Sequence, residues 1–226
     1  KAKYSINQGL WGTSVGGSET LTSDQPLPDS AYPSALEKEK EEAISLTFTR
    51  GELTEVNGEK GTQVALIQTL QNQAKQFAIG RDIHVGDTII GIKGRVGFEA
   101  AAPAIIIKAH HLLEKHTLSK WQQFQKEQLS NFYGMQLHEG HYLDPVMRDM
   151  EAFMESSQKK VNGTVYIKLY PYRFELLGIR SPNDLMQAEF GSYGEMNKGW
   201  TAEEAKGFIK LTANATKIYQ HLNKEQ

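Results

Sequence analysis

The sequence predicts an α+β fold: a largely antiparallel sheet packed with several helices and ending in a C-terminal helix. Three observations carry this. Extended segments gather before and after a helical middle instead of alternating with helices one by one. Short turn dipeptides, Arg50-Gly51 and Pro171-Tyr172, join consecutive strands and favour antiparallel neighbours, and Asn57-Gly58 marks a further turn before a helix. Between them, apolar residues recur at the three-and-four spacing of buried helical stripes.

Taken in order, Tyr4 to Gly17 alternates apolar and small polar residues and predicts a short strand that leads into a loop, with Ser5 and Ser14 its notable hydroxyls. Ser18 to Pro33 holds three prolines among polar residues and reads as an ordered surface connection, and Glu37 to Glu42 as a solvated charge run. Ala43 to Val56 predicts a hairpin, because Ile44, Leu46 and Phe48 alternate and Leu53 and Val56 return after Arg50-Gly51. Val64, Leu66, Ile67, Leu70 and Ala74 then mark one face of a helix. Gly80 to Glu99 predicts a twisted, glycine-rich strand in which Lys93 and Arg95 share a solvated face.

A second helix carries Ile105, Ile106, Ala109, Leu112 and Leu113, with Pro103 tolerated in its first turn. A polar helix with Trp121 and Phe124 follows, from Thr117 to about Phe132. Asp144-Pro145 supplies an N-cap and first-turn proline for a helix striped by Met147, Met150, Phe153 and Met154. Val161 to Arg180 predicts two strands, and Thr201 with Glu204 a capping box that opens the last helix toward Tyr219.

At 226 residues the chain can bury a sizeable core in one domain or two small ones. A net charge of -2 gives no general case for nucleic-acid binding. The absence of cysteine excludes disulfides, thiolate nucleophiles and cysteine-held metal, and suits a cytoplasmic setting. The longest apolar run, Ala100 to Ile107, is too short to span a bilayer. A first residue of Lys1, not Met, is expected of a fragment or a processed product. Seven histidines offer no metal motif: His110 and His111 are adjacent and point to different sides of a helix, and His138-Glu-Gly-His141 lacks the H-E-x-x-H spacing. No phosphate loop and no nucleophile elbow is present. Residue chemistry alone stops at a soluble α+β domain with no catalytic group assigned.

Six segments go further. They are Y-S-I-N-Q-G-L-W-G-T-S (Tyr4 to Ser14), N-G-E (Asn57 to Glu59), I-G-R-D-I (Ile79 to Ile83), I-I-G-I-K-G-R (Ile89 to Arg95), G-T-V-Y-I-K-L-Y (Gly163 to Tyr170) and G-F-I-K-L (Gly207 to Leu211). In this order and spacing the chain, over residues 1–226, resembles the C-terminal synthetase domain of argininosuccinate synthase. The resemblance implies a ligase of arginine biosynthesis that joins citrulline to aspartate and converts ATP to AMP and pyrophosphate. It places ATP mainly on an N-terminal domain not contained in this chain, so the chain alone is expected to be inactive. It also implies a homo-oligomer, most simply a tetramer, with no nucleic-acid or membrane partner. Ser5 and Ser14 match two family serines that contact citrulline. The glutamate and tyrosine that the family adds fall, counted without gaps, on Gly86 and Phe98, and both depart from the pattern. Either another group takes over the citrulline ammonium, with His84 or Asp87 the nearest in sequence and Asp87 able to do so only if the backbone turns, because neighbours on a strand face opposite ways, or the pocket admits an N-acylated citrulline. The competing class is a non-catalytic amino-acid-binding or oligomerisation module that keeps the fold.

Overall fold

A computed structural model describes residues 2–187 and 199–223. The chain divides into two compact units, Lys1–Asp184 and Leu185–Gln226. In chain order the first holds strands β1 (Ser5–Gly9), β2 (Gly12–Gly16), β3 (Glu42–Thr49), β4 (Glu52–Val56) and β5 (Glu59–Lys60), then helix α1 (Gln63–Ala74). Strands β6 (Arg81–Asp87) and β7 (Lys93–Glu99) follow, then helices α2 (Ala101–Thr117), α3 (Lys120–His138) and α4 (Pro145–Gln158), and strands β8 (Gly163–Tyr170) and β9 (Arg173–Arg180). The second unit contains α5 (Ala202–Thr212) and α6 (Asn214–Leu222).

The strands form two sheets where the sequence suggested one. Their orders are β5-β4-β3-β8-β9 and β1-β2-β7-β6, and every pairing given for them is antiparallel. The expected β3–β4 hairpin is present, turning at Arg50 and Gly51 with both residues at positive φ. A bulge lets one strand return Leu53 and Val56 to the same buried face although they are three apart, because Phe48 pairs with Leu53 and Thr47 with Glu55. Asn57 (φ 54°) and Gly58 (φ 81°) close the next turn, the positive-φ pair a two-residue hairpin requires.

Helices α1 and α2 cover one face of the five-stranded sheet. Leu46, Phe48, Val165, Ile167 and Leu169 meet Leu66, Leu70, Ile105, Ala109 and Leu113 in one cluster, all buried. Complete burial of such a side chain contributes about 1.5–3 kcal/mol each, and this layer holds most of the buried apolar side chains among the described residues. Val64, expected on the stripe, is 52% exposed: at the second residue of α1 it precedes the turn that meets the sheet. Helix starts obey their caps. Thr62, Ser119 and Asp144 side chains accept from Ala65, Gln122 and Val146 N–H groups, and Pro145 sits where its missing N–H costs nothing. Helix α3 runs on to His138, six residues past the expected end, and none of its residues is buried. In the second unit the Thr201–Glu204 capping box forms as expected, but the final helix is interrupted at Ala213.

Gly80 to Glu99 is a hairpin, not one strand. Thr88 N–H and Oγ both donate to the Ile92 carbonyl, and Gly91 (φ 78°) completes the turn. Likewise Tyr4 to Gly17 is a hairpin whose second strand pairs with β7, not a strand that runs into a loop.

Candidate functional site

Register decides what the four-stranded sheet presents. Asn7 pairs with Ser14, Ser14 with Phe98, and Phe98 with Asp82. Ser5 pairs with Gly16, and His84 with Val96. Paired residues and their i±2 neighbours share a face. Ser5, Asn7, Ser14, Phe98, Asp82, His84 and Gly86 therefore stand on one side of the sheet. The four positions expected to contact citrulline (Ser5, Ser14, Gly86 and Phe98) are brought onto one surface, although 93 positions separate the first from the last.

This front face is open: Ser5, Asn7, Asp82 and His84 are exposed, whereas Ser14, Gly86 and Phe98 are half-buried. The His84 ring meets Phe98 edge-on, with centroids 6.0 Å apart and planes at 79°. It also reaches along its strand over Gly86, where an added Cβ would lie 3.0 Å from His84 Nε2. Asp82 Oδ1 accepts the Ile83 N–H at 2.7 Å. Asp87, the other group expected to serve a substrate ammonium, is on the back face and forms an ion pair with Lys93. The backbone turn that would bring Asp87 to the front is absent: pairing stays regular through Gly86 and Asp87, so alternation turns its side chain away.

The back face is fastened by a loop. Val15 packs with Leu27 and Ala31, joined by Tyr4, Tyr32 and Ile83. A Cβ at Gly97 would run into Leu27, so glycine there permits the close approach. Arg95, expected to be merely solvated, donates to the carbonyls of Glu19, Thr22 and Gln25 at 2.9, 2.6 and 2.9 Å. Arg81 donates from Nε to the buried Glu99 at 3.1 Å, reaches Asp29 at 3.3 Å and the Ser34 carbonyl, and lies 4.7 Å over the Tyr32 ring. Burial raises the Tyr32 phenol above its ordinary value. At the head of the loop, hydrogen bonds from Lys3, from its own backbone N–H and from Tyr4 hold the Glu19 carboxyl down at about 2.

A second polar cluster lies under the helices and escaped sequence reasoning. His110 Nε2 meets Gln158 Oε1 at 2.9 Å, while Gln158 Nε2 and Lys126 Nζ donate to the buried Glu114 at 2.8 and 2.9 Å. The His110 ring also packs edge-on against Phe48. Burial lowers the His110 pKa despite the nearby Glu114. His110, Lys126 and Gln158 border a cavity of about 330 Å³ lined also by Arg50, Glu52, Glu151 and Glu155. Their hydrogen bonds are internal and tie α2, α3 and α4 together, which is a structural role. Only the adjacency of His110 and His111 was visible beforehand, and it carries no hint of Gln158, 48 residues away. Among the described residues no group of three or more His, Cys, Asp or Glu could hold a metal ion, and no helix is long and apolar enough to cross a membrane.

The model of the arginosuccinate synthase C-terminal domain matches residues 4–219. The chain belongs to the argininosuccinate synthase family. Its similarity to individual relatives is even across distant sources. It is 34% identical to the argininosuccinate synthase of Xanthomonas axonopodis pv. citri over 98% of this chain and 54% of that protein. With the Dictyoglomus thermophilum argininosuccinate synthase it shares 34% over 97% and 55%, and with the Methanocaldococcus jannaschii one 31% over 99% and 57%. The chain thus spans about half the length of the argininosuccinate synthases it matches.

Proposed function

We propose that this chain is the citrulline-binding and subunit-contact part of an argininosuccinate synthase. In the whole protein ATP transfers AMP to the ureido oxygen of citrulline and releases pyrophosphate. The aspartate amine then attacks the ureido carbon and expels AMP, forming argininosuccinate. ATP and aspartate are held mainly by an N-terminal domain outside this chain, which alone is inactive. The observation that supports this reading best is the convergence of Ser5, Ser14, Gly86 and Phe98 on one face of the four-stranded sheet.

Chemically that face is a floor. Hydroxyls at Ser5 and Ser14 and the Asn7 amide can orient a small polar ligand, but an open sheet surface encloses one only when another element closes over it. The reading assigns that closure to the N-terminal domain. Homo-oligomerisation, in the simplest case as a tetramer, draws support from the exposed apolar residues of α5 and α6, among them Phe208, Leu211 and Tyr219. The setting is cytoplasmic.

Citrulline-dependent pyrophosphate release by the full-length protein tests the reading. Ser14→Ala should raise the KM for citrulline about ten-fold, the scale of one lost hydrogen bond to a charged or strongly polar group, and leave the KM for ATP unchanged. A full-length protein that releases no pyrophosphate with citrulline or with an N-acylated citrulline would support the non-catalytic module instead.

A further inference from the structure

We infer that His84, held in place by the glycine at position 86, sets the specificity of the front face for a substrate with a free α-ammonium group. The inference rests on the reading that this face binds the amino-acid substrate, and adds to it a residue, an orientation and a ligand chemistry.

The two ends of the face differ in kind. On β1 and β2 it offers Ser5, Asn7 and Ser14, neutral groups that can both donate and accept. On β7 and β6 it offers the Phe98 ring, the His84 imidazole and the Asp82 carboxylate, all in successive or diagonal register. Asp82 is the one charged side chain that the register places on this face among the described residues. A carboxylate favours a cation and disfavours a second carboxylate, and the acceptor nitrogen of a neutral imidazole can take a hydrogen bond from an ammonium. An α-amino acid lying across the strands is therefore oriented with its ammonium at the β6 end and its remaining polar groups over the serines. The strands are about 4.8 Å apart, so Ser14 and the β6 positions are two strand spacings apart, a distance matched to an extended amino acid with a polar side chain.

Position 86 explains why the imidazole can serve. His84 Nε2 lies over the Gly86 backbone, in space that any Cβ at 86 would crowd to 3.0 Å. Gly86 φ is not in the left-handed region, so glycine is not demanded there by the backbone. What it provides is room for the ring. The ring also makes an edge contact with Phe98, so in this structure it stands between Phe98 and the backbone of Gly86 with Nε2 over the floor. An acylated amine would bring a neutral amide and a bulky carbonyl to a corner whose chemistry suits a cation.

The test is steady-state kinetics on the full-length enzyme with citrulline and with N-acetylcitrulline, comparing native protein, Ser14→Ala, His84→Ala, His84→Gln and Gly86→Ala. The native enzyme should prefer citrulline. His84→Ala should raise its KM about ten-fold with kcat within about two-fold. Gly86→Ala, which keeps the imidazole but displaces it, should move KM in the same direction, and His84→Gln should recover part of the loss. Thermal melting of each variant within a few degrees of native keeps folding out of the comparison. If Ser14→Ala raises the KM but His84→Ala leaves it unchanged, the face binds substrate and His84 has no part in it. If both are silent, or neither citrulline nor N-acetylcitrulline elicits turnover, the site reading falls and this inference with it. A native preference for N-acetylcitrulline overturns the free-ammonium assignment even if His84 matters.

Discussion

The two sheets cover a face in different ways. The five-stranded sheet hides its inner face under α1 and α2, with Leu46, Phe48, Ile167 and Leu169 all at 1% exposure or less. The four-stranded sheet hides its back face under a loop, and its buried apolar group is small: Val15, Leu27 and Ala31. There, arginines do what leucines do elsewhere. Arg95 collects three loop carbonyls and Arg81 joins Glu99, Asp29 and Ser34. An apolar layer tolerates small shifts because its attraction is non-directional. A guanidinium fork fixes direction. The four-stranded sheet is fastened mainly by the second means.

The sharpest way to break the comparison is Phe48→Ala. It removes a buried ring from the core and from its contact with His110. It should destabilise the first unit by about 3–5 kcal/mol in urea unfolding. A loss below about 1 kcal/mol would mean that this layer is not the stabilising one. Arg95→Ala comes next, with an expected loss of about 2 kcal/mol, since the loop carbonyls regain water in place of charged donors. Hydrogen exchange should accelerate around residues 18–28 and stay slow in β3 and β8. Arg95→Lys should recover little, because an ammonium cannot match three carbonyls with a planar fork. Uniform acceleration across both sheets would show that they do not differ in the way described.

The smallest effect belongs to His110. Burial holds the folded imidazole below its ordinary value of 6.5, so protonation favours the unfolded chain. Its contribution is complete above that unfolded value and is lost as pH falls toward the folded one. Between pH 6.5 and 5 the stability of the native protein should fall more steeply than that of His110→Gln, by at most about 1.4 kcal/mol per pH unit. Parallel curves would remove His110 as the cause.

Much of the five-stranded half was legible beforehand because its rules are local. Alternation in Ile44, Leu46 and Phe48, the Asn57-Gly58 turn and the Asp144-Pro145 cap each speak for themselves. The four-stranded half was less legible. Its β6–β7 turn is built from Thr88, Ile89, Ile90 and Gly91, where isoleucines imitate strand and only Gly91 betrays the reversal. Arg95 could not be told from a solvated cation, because its partners are carbonyls at least 70 residues away that leave no mark on residue type. Candidate site positions came from segment resemblance. Strand alternation already set Asp87 opposite to position 86, but the face that Ser5, Ser14, Gly86 and Phe98 share needed the register.

Gly80 and Ala100 bracket the β6–β7 hairpin at its base. The Ala100 N–H donates to the Gly80 carbonyl at 2.9 Å, and a Cβ at Gly80 would strike the Ala100 backbone. The chain thus leaves the helix-covered layer and re-enters it through a single closed gate. A segment with such ends is a natural cassette. Residues 81–99 carry Asp82, His84, Gly86 and Phe98 together, so the hairpin of one relative could be transplanted into another with both splice points meeting the same short bridge, and with it would travel half of the front face.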